Sequence, residues 1–326
     1  MELEYFIVDV FTETALAGNP LAVVMNTCGL ATERMQQIAR EFNLWETTFV
    51  ERRPAVVEQA EGVRVRVFTP QDELNFAGHP TLGTASVLKQ HAPETVQEGV
   101  VTLRLNVGSV PVRFDGLPEA NGSLFGEMTQ PEPVFGAEPD PRTVARLAGL
   151  DFEDLDPTLP PQIVSTGTPF VIVPLRSVDA LARLRVNQQE ATVWLQELGA
   201  RWMYLLASTG LPAPRYRARM QFYGGEDPAT GSAAGCAISY LVQRGAVAPG
   251  ERIHVRQGVE IGRPSELFLS AKINYNSAQP HNISVRFQSR ADETQSITEE
   301  ADLAKVVDVR VGGSTVLVAC GRLFLP

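Results

Sequence analysis

The amino-acid sequence predicts an α+β protein of two similar domains, in each of which β-strands surround one central helix. Three observations predict this fold class. Two short motifs each occur twice at nearly the same offset, an apolar helical segment follows the second motif both times, and short β-type runs lie around these segments. The chain of 326 residues also has the length of about two domains.

The repeat is the strongest of these signals. Segment 18–24, Gly-Asn-Pro-Leu-Ala-Val-Val, matches segment 167–173, Gly-Thr-Pro-Phe-Val-Ile-Val, at an offset of 149 positions. Segment 79–85, His-Pro-Thr-Leu-Gly-Thr-Ala, matches segment 227–233, Asp-Pro-Ala-Thr-Gly-Ser-Ala, at an offset of 148 positions. A period this long indicates a duplicated domain rather than a solenoid. We therefore expect two similar halves that face each other.

The second motif predicts a helix start in each half. Proline suits the first helical turn, and Asp227 or a preceding polar residue can cap the helix. The following segments, 84–88 and 232–242, are small or apolar nearly all round, which is typical of helices enclosed by other elements. Each is predicted to be the central helix of its half.

The remaining elements follow from local patterns. Residues 1–10 predict a first strand, and helices are predicted at 32–42, with Thr32 as a candidate cap, and at 190–198. Segment 116–141 predicts the interdomain passage, which gives an N-terminal domain over 1–125, to which the C-terminal end can return, and a C-terminal domain over 126–326. Segment 274–302 is polar and predicts a long hairpin or a mobile loop. The other predicted strands are 63–68, 100–105, 110–114, 162–173, 203–207, 267–269 and 314–319.

Charge and composition restrict the partners. The formal net charge of −10 repels nucleic acid and anionic membranes, so an anionic ligand requires a local positive site. No apolar stretch approaches the roughly 18 residues that cross a bilayer. The N-terminus is acidic where a signal peptide is basic, so we expect a cytoplasmic protein. A small anionic metabolite is the expected partner, with neither nucleic acid nor a membrane.

The sequence gives no sign of a metal or cofactor. Cys28, Cys236 and Cys320 are widely spaced, without the Cys/His spacing of a zinc site, and are interpreted as reduced thiols. P-loop and dinucleotide-binding motifs are also missing from the sequence, so no nucleotide cofactor is expected.

Several segments together resemble the phenazine-biosynthesis-like proteins, the PhzF-type isomerase family. The resemblance is carried by segments 18–20, 43–50, 68–84 and 226–233, and it extends to 257–265 and 311–313, so it spans almost the whole chain. It implies a diaminopimelate epimerase-like fold, in which each domain is a mixed β-barrel around a central helix and the active site lies between the domains. It also implies a cofactor-independent isomerase that forms a homodimer.

The resemblance further implies the site residues. In the best-known enzyme of the family, a glutamate at the position of Glu46 is the acid and base of a hydrogen shift that isomerises a dihydro-hydroxyanthranilate. Residues at the positions of His79 and Asp227 line that site and are also expected to be catalytic. Trp45 stands where the family is expected to have a small hydroxyl residue, which weakens the inference of that substrate. Residues expected to bind substrate are Asn19, Gly78, Gly231 and Ser232.

These residue types suit a proton shift. Removing a proton from carbon beside a carboxylate requires a base and a positive environment for the resulting anion. Glu46 supplies the base, and two converging helix N-termini supply unpaired N–H groups and partial positive charge. Apolar neighbours of Glu46 would raise its pKa. A racemase with two cysteines is disfavoured, because neither helix-start motif contains a cysteine.

Other interpretations remain open at this point. Glu46 could be an ordinary surface residue, His79 a structural one, and Asp227 only a helix cap. The chain could be a catalytically idle protein that binds a metabolite or another protein, since fold does not fix function. Ser232, His79 and Asp227 could form a hydrolase triad, although no G-x-S-x-G motif supports it.

Overall fold

The structure of the protein is a computed structural model that describes residues 1–213, 215–222, 225–274 and 305–325. The hairpin or loop predicted at 274–302 therefore lies outside the described residues, apart from Asn274 at the end of a strand. The helices are α1 (Thr32–Phe42), α2 (Ala55–Glu61), α3 (Gly78–His91), α4 (Pro141–Ala148), α5 (Val178–Ala182), α6 (Gln188–Glu197) and α7 (Gly231–Gln243).

The described strands fall into two sets along the chain. The first set is β1 (Glu2–Val10), β2 (Asn19–Val24), β3 (Glu46–Glu51), β4 (Val63–Phe68), β5 (Glu73–Leu74), β6 (Val96–Gln97), β7 (Val100–Leu105), β8 (Gly108–Arg113) and β9 (Leu124–Thr129). The second set is β10 (Val134–Phe135), β11 (Gln162–Ser165), β12 (Pro169–Leu175), β13 (Trp202–Ser208), β14 (Tyr216–Arg219), β15 (Gln221–Phe222), β16 (Gly225–Glu226), β17 (Ile253–Gln257), β18 (Ser265–Asn274) and β19 (Lys305–Phe324).

The first set closes into a barrel around α3. Strand pairing runs from β1 through β2, β3, β4, β7, β8 and β9 to β19, which pairs again with β1. Two of these pairings, β2 with β3 and β4 with β7, are parallel and the others are antiparallel, so the barrel is mixed. Strand pairing in the second half runs from β10 through β11, β12, β13, β14, β17 and β18 to β19, with two parallel pairings. These strands pack on α7.

Strand β19 connects the two halves. Its N-terminal part pairs with β18 of the second half, and its C-terminal part pairs with β1, where Phe324 lies opposite Glu2. The predicted passage at 116–141 is not a simple linker, because it contains β9, which pairs with β8 and β19, and β10, which pairs with β11.

Helices α3 and α7 are enclosed, as their uniformly apolar sequences predict. In α3 every residue from Gly78 to Leu88 is buried, and in α7 every residue from Gly231 to Val242 is buried. Side chains from both helices enter one continuous hydrophobic core, which excludes water from the space between helix and barrel. The predicted α+β fold of two barrel-like halves, each around a central helix, is confirmed.

The predicted helix caps are wrong. Helix α3 begins at Gly78, one residue before the predicted motif, and α7 begins at Gly231, four residues beyond Asp227. Neither helix has a side-chain cap, so Asp227 is not the N-cap of α7. Thr32 is not the cap of α1 either, because Ala31 holds that position and the Thr32 hydroxyl accepts a hydrogen bond from Arg66.

Three predicted strands differ most from the strands of the structure. The run 162–173 is two strands, β11 and β12, joined by a turn in which Gly167 has a φ of 123°, a conformation that favours glycine. The runs 267–269 and 314–319 are the inner parts of β18 and β19, which are much longer. Over the described ranges, no helix has both the length and the apolar character that a membrane span requires.

Candidate active site

The N-termini of the two central helices touch each other. A Cβ atom added to Gly78 would lie 2.5 Å from the backbone nitrogen of Ser232, so only glycine permits this approach. Because both helices begin without a side-chain cap, their first N–H groups and the positive ends of their dipoles are directed at one place. An anion is stabilised at such a place.

A cleft of about 1050 Å³ opens at these helix starts. Its walls come from both halves of the chain. Six of the predicted site residues line it: Glu46, Gly78, His79, Asp227, Gly231 and Ser232. The seventh, Asn19, is fully buried behind the wall and contacts two of the six. The sequence therefore predicts residues that the fold brings together, while their individual roles remain predictions.

Strand pairing places Glu46 beside the start of α3. Glu46 is the first residue of β3 and lies opposite Leu21 of β2 in a parallel pairing, so it shares an end of the barrel with Asn19. Its Oε2 atom is 3.4 Å from Nε2 of His79. Both atoms are buried, and neither has a hydrogen-bond partner among the described residues. Buried polar atoms are usually paired, so this location suits a ligand.

Asn19 holds the other side of the His79 ring. Its Nδ2 atom lies 3.1 Å from Nδ1 of His79, 2.6 Å from Oδ1 of Asp227 and 2.9 Å from the carbonyl oxygen of Ala229, and its two hydrogens are shared among these three acceptors. The carbonyl of Ala229 can only accept, which fixes the orientation of the Asn19 amide. Nδ1 of His79 is then an acceptor, and its ring proton is on Nε2, facing Glu46.

Asp227 lies in a turn held by hydrogen bonds. The Thr230 hydroxyl donates to Oδ2 of Asp227 at 2.7 Å. The side-chain amide of the fully buried Gln257 donates to the Asp227 carbonyl at 2.8 Å and to the Thr230 hydroxyl at 2.9 Å. These bonds restrain the carboxylate of Asp227 at the cleft wall.

Burial shifts the pKa values of His79, Glu46 and Asp227. Burial lowers the pKa of His79 to about 3, so its imidazole is neutral near pH 7. Burial, and then repulsion from Asp227, raises the pKa of Glu46 well above its usual range, with the charge of Arg201 opposing the shift. The pKa of Asp227 is also raised by burial, although the hydrogen bonds from Thr230 and Asn19 oppose this shift. The two carboxyl groups therefore hold protons at a higher pH than solvated carboxylates.

Comparison with known proteins identifies the family. The family model described as phenazine biosynthesis-like protein matches residues 8–291. The chain belongs to this family. It is 36% identical over 272 residues to trans-2,3-dihydro-3-hydroxyanthranilate isomerase of Pseudomonas fluorescens, covering 82% of this chain and 90% of that protein. It is 33% identical over 336 residues to an isomerase of Mesorhizobium japonicum, covering 98% of both chains.

A solved structure agrees with this assignment. The predicted epimerase from Pseudomonas aeruginosa has a TM-score of 0.76 and 34% identity, over 99% of this chain and 100% of that one. The fold and family expected from the sequence are therefore confirmed, and this phenazine biosynthesis-like protein is an isomerase.

The cleft of this family member also contains residues that the sequence motifs did not indicate. Arg201, Trp202 and Phe222 come from the second half and line the cleft opposite Trp45. The Trp45 and Phe222 ring centroids are 4.8 Å apart. Trp45 therefore belongs to an aromatic wall beside Glu46. No local pattern marks these residues, because they meet only through contacts between distant parts of the chain.

Cys236 is not among the residues that line the cleft. Cys236 is buried inside α7, where its thiol is 3.5 Å from the Thr166 hydroxyl, and burial raises its pKa to about 11. A thiol in this state is a poor base or nucleophile at neutral pH. Over the parts of the chain that the structure covers, His, Cys, Asp and Glu form no group suited to hold a metal ion.

Proposed function

We propose that this isomerase moves a proton between two carbon positions of a small anionic amino or hydroxy carboxylate, with Glu46 as both acid and base. The observation that carries the proposal is the pair of buried atoms Glu46 Oε2 and His79 Nε2, 3.4 Å apart and without a hydrogen-bond partner among the described residues. One is a proton acceptor and the other a donor, and both line the cleft.

The proposed reaction uses the helix ends to hold the substrate. A substrate carboxylate binds at the N–H groups near Gly78, Gly231 and Ser232. Glu46, as a carboxylate, takes a proton from the substrate carbon that lies next to it. The electron pair left on that carbon delocalises into the neighbouring unsaturated system of the substrate. The same carboxyl group then returns the proton to another carbon of that system, which restores the carboxylate and completes the isomerisation.

His79 and Asp227 have supporting roles in the proposal. The neutral imidazole of His79 donates from Nε2 to the negative charge that develops on the substrate, as a preorganised donor does in other enzymes. Asp227 keeps Asn19 in place through their 2.6 Å hydrogen bond, and its charge raises the pKa of Glu46 toward the pH at which a carboxyl group both accepts and returns a proton.

The geometry favours an isomerase over an idle binding protein. Two buried carboxyl groups repel an anionic ligand and cost free energy of folding near neutral pH, so a site made only for anion binding gains nothing from them.

The geometry also argues against a hydrolase triad. Nδ1 of His79 accepts from Asn19 rather than donating to Asp227, and Nε2 faces Glu46 rather than Ser232.

The experiment that tests this function is deuterium incorporation. Candidate amino and hydroxy carboxylates, including trans-2,3-dihydro-3-hydroxyanthranilate, are incubated with the protein in D₂O and followed by NMR and mass spectrometry. At least one should gain deuterium at carbon or change its double-bond position at a rate proportional to enzyme concentration. A ligand that binds in the cleft with no exchange at any carbon position would favour the binding protein instead.

A further inference from the structure

Arg201 brings a positive charge to the mouth of the cleft. Its backbone nitrogen donates to the Pro169 carbonyl at 2.9 Å, which fixes the start of β13. Its guanidinium Nη2 is 3.5 Å from Oδ2 of Asp72, a residue of the first half. Both side chains line the cleft, so this ion pair joins its two walls.

Arg201 differs from the other described residues of the cleft in its positive charge. Of the described lining residues it is the only lysine or arginine, whereas Glu46, Asp72 and Asp227 supply three carboxyl groups. The side chain of Arg201 is 34% exposed and that of Asp72 is 55% exposed. Exposed ion pairs contribute little stability, so a ligand carboxylate can replace Asp72 at low cost.

An aromatic wall connects Arg201 to the acid/base group. The Arg201 guanidinium lies 4.4 Å from the centre of a Trp202 ring. The Trp202 and Phe222 centroids are 5.9 Å apart, and Phe222 in turn packs on Trp45, the residue before Glu46. Aromatic surfaces of this kind bind flat unsaturated groups, and the cleft volume of about 1050 Å³ exceeds what one small carboxylate fills.

We propose that Arg201 and the aromatic wall of Trp45, Trp202 and Phe222 form a second subsite that binds the distal carboxylate of a planar, unsaturated dicarboxylate, in exchange for Asp72. This inference rests on the proposed function, because it places the other carboxylate at the helix N-termini. It narrows the substrate class to planar molecules with an anionic group at both ends. Asp72 holds Arg201 in position until the substrate arrives.

A competing role for the same ion pair is a latch that only keeps the cleft closed. The two roles make opposite predictions for Asp72. If Arg201 is a binding group, removing the charge of Asp72 frees it and tightens the binding of a dicarboxylate. If the pair is a latch, removing either partner loosens the cleft and weakens every ligand.

The test uses isothermal titration of the full chain with benzoate, isophthalate and terephthalate. At least one of the two dicarboxylates should bind about tenfold or more tightly than benzoate, since a charge-assisted pair with Arg201 is added. Arg201→Gln should abolish this preference and leave benzoate binding within about twofold. Asp72→Asn should increase the preference. Arg183→Gln, which removes a similar Arg–Asp pair outside the cleft, is the matched control and should change nothing.

Three results would overturn the subsite. These are no preference for either dicarboxylate in the native protein, a preference that survives Arg201→Gln, or a weakening of all three ligands by Asp72→Asn, which indicates a latch. The subsite and the proposed function can fail separately. Glu46→Gln should keep the dicarboxylate preference while losing proton exchange, and a preference without exchange in the native protein would contradict only the proposed function.

Discussion

The Nε2 atom of His79 lies 3.4 Å from Oε2 of Glu46, although the two residues come from different elements, α3 and β3. Burial keeps the imidazole neutral, with its pKa near 3, while the pKa of Glu46 is raised. The contact is therefore not an ion pair between a carboxylate and an imidazolium. It places a neutral N–H donor beside a carboxyl group whose pKa is raised by burial.

The pKa of Glu46 should depend on the charge of Asp227. The negative charge of Asp227 disfavours the Glu46 carboxylate, so Asp227→Asn should lower the Glu46 pKa toward its usual value of 4.5. Carboxyl ¹³C NMR of labelled protein measures this directly. Glu41→Gln, at an exposed position of α1, is the control and should leave the Glu46 titration unchanged. An unchanged Glu46 pKa in Asp227→Asn would show that the two groups do not interact.

Glu46 should also reduce stability at neutral pH. Its folded-state pKa is raised, so the folded state holds the proton more tightly than the unfolded state does. The bound proton therefore stabilises the folded state; this stabilisation is complete below about pH 4.5 and is lost as the pH rises through the raised pKa of Glu46. Glu46→Gln should therefore increase the melting temperature by several degrees at pH 8 and by little at pH 4, with Glu41→Gln unchanged at both. Equal melting temperatures of Glu46→Gln and the native protein at pH 8 would contradict the raised pKa.

Sequence alone predicted the elements that local pattern controls. The repeat and the apolar segments after residues 79 and 227 indicated two enclosed helices, and the structure contains both. The start of α7 was predicted four residues too early, because Pro228 beside a polar residue is compatible with a turn as well as with a helix start. At 227–230 the chain forms a turn in which Thr230 and Gln257 hold Asp227.

The parts of the site that sequence did not predict depend on long-range contacts. Asn19 is in the motif, but its bond to Asp227 joins residues 208 positions apart. Arg201 and Phe222 lie in segments without a distinctive pattern, and they reach the cleft only because β13 and the paired strands β15 and β16 lie against the first half. Neither spacing nor periodicity contains that information.

The hydrogen bond from the Thr230 hydroxyl should lower the pKa of Asp227. Thr230→Val keeps the shape of the side chain and removes the 2.7 Å hydrogen bond to Asp227 Oδ2, a bond that lowers the pKa of Asp227. The Asp227 pKa should rise further, measured by carboxyl ¹³C NMR. Thr143→Val removes a similar threonine–aspartate bond at the exposed start of α4 and is the control. If Thr230→Val leaves the Asp227 titration unchanged, this hydrogen bond does not control its protonation.

The contact between the two helix starts should not tolerate a methyl group. Gly78→Ala would place a carbon 2.5 Å from the Ser232 nitrogen, so the helices must separate. We expect a loss of about 1–3 kcal/mol in the free energy of unfolding and weaker anion binding, measured by denaturant titration and calorimetry with benzoate. Gly136→Ala, whose nearest neighbours are side-chain atoms of Ile163 at 3.2 Å, should cost less. Equal effects of the two substitutions would contradict the close approach.

The most direct test of the account is whether Glu46 carries the proton. On a substrate that exchanges in D₂O with the native protein, Glu46→Gln keeps the shape of the side chain but removes the base. Its exchange rate should fall by about 10²-fold or more, while ligand affinity, measured by calorimetry, stays within a few fold. If Glu46→Gln exchanges at a near-native rate and Asp227→Asn does not, Glu46 is not the proton carrier and Asp227 is the base.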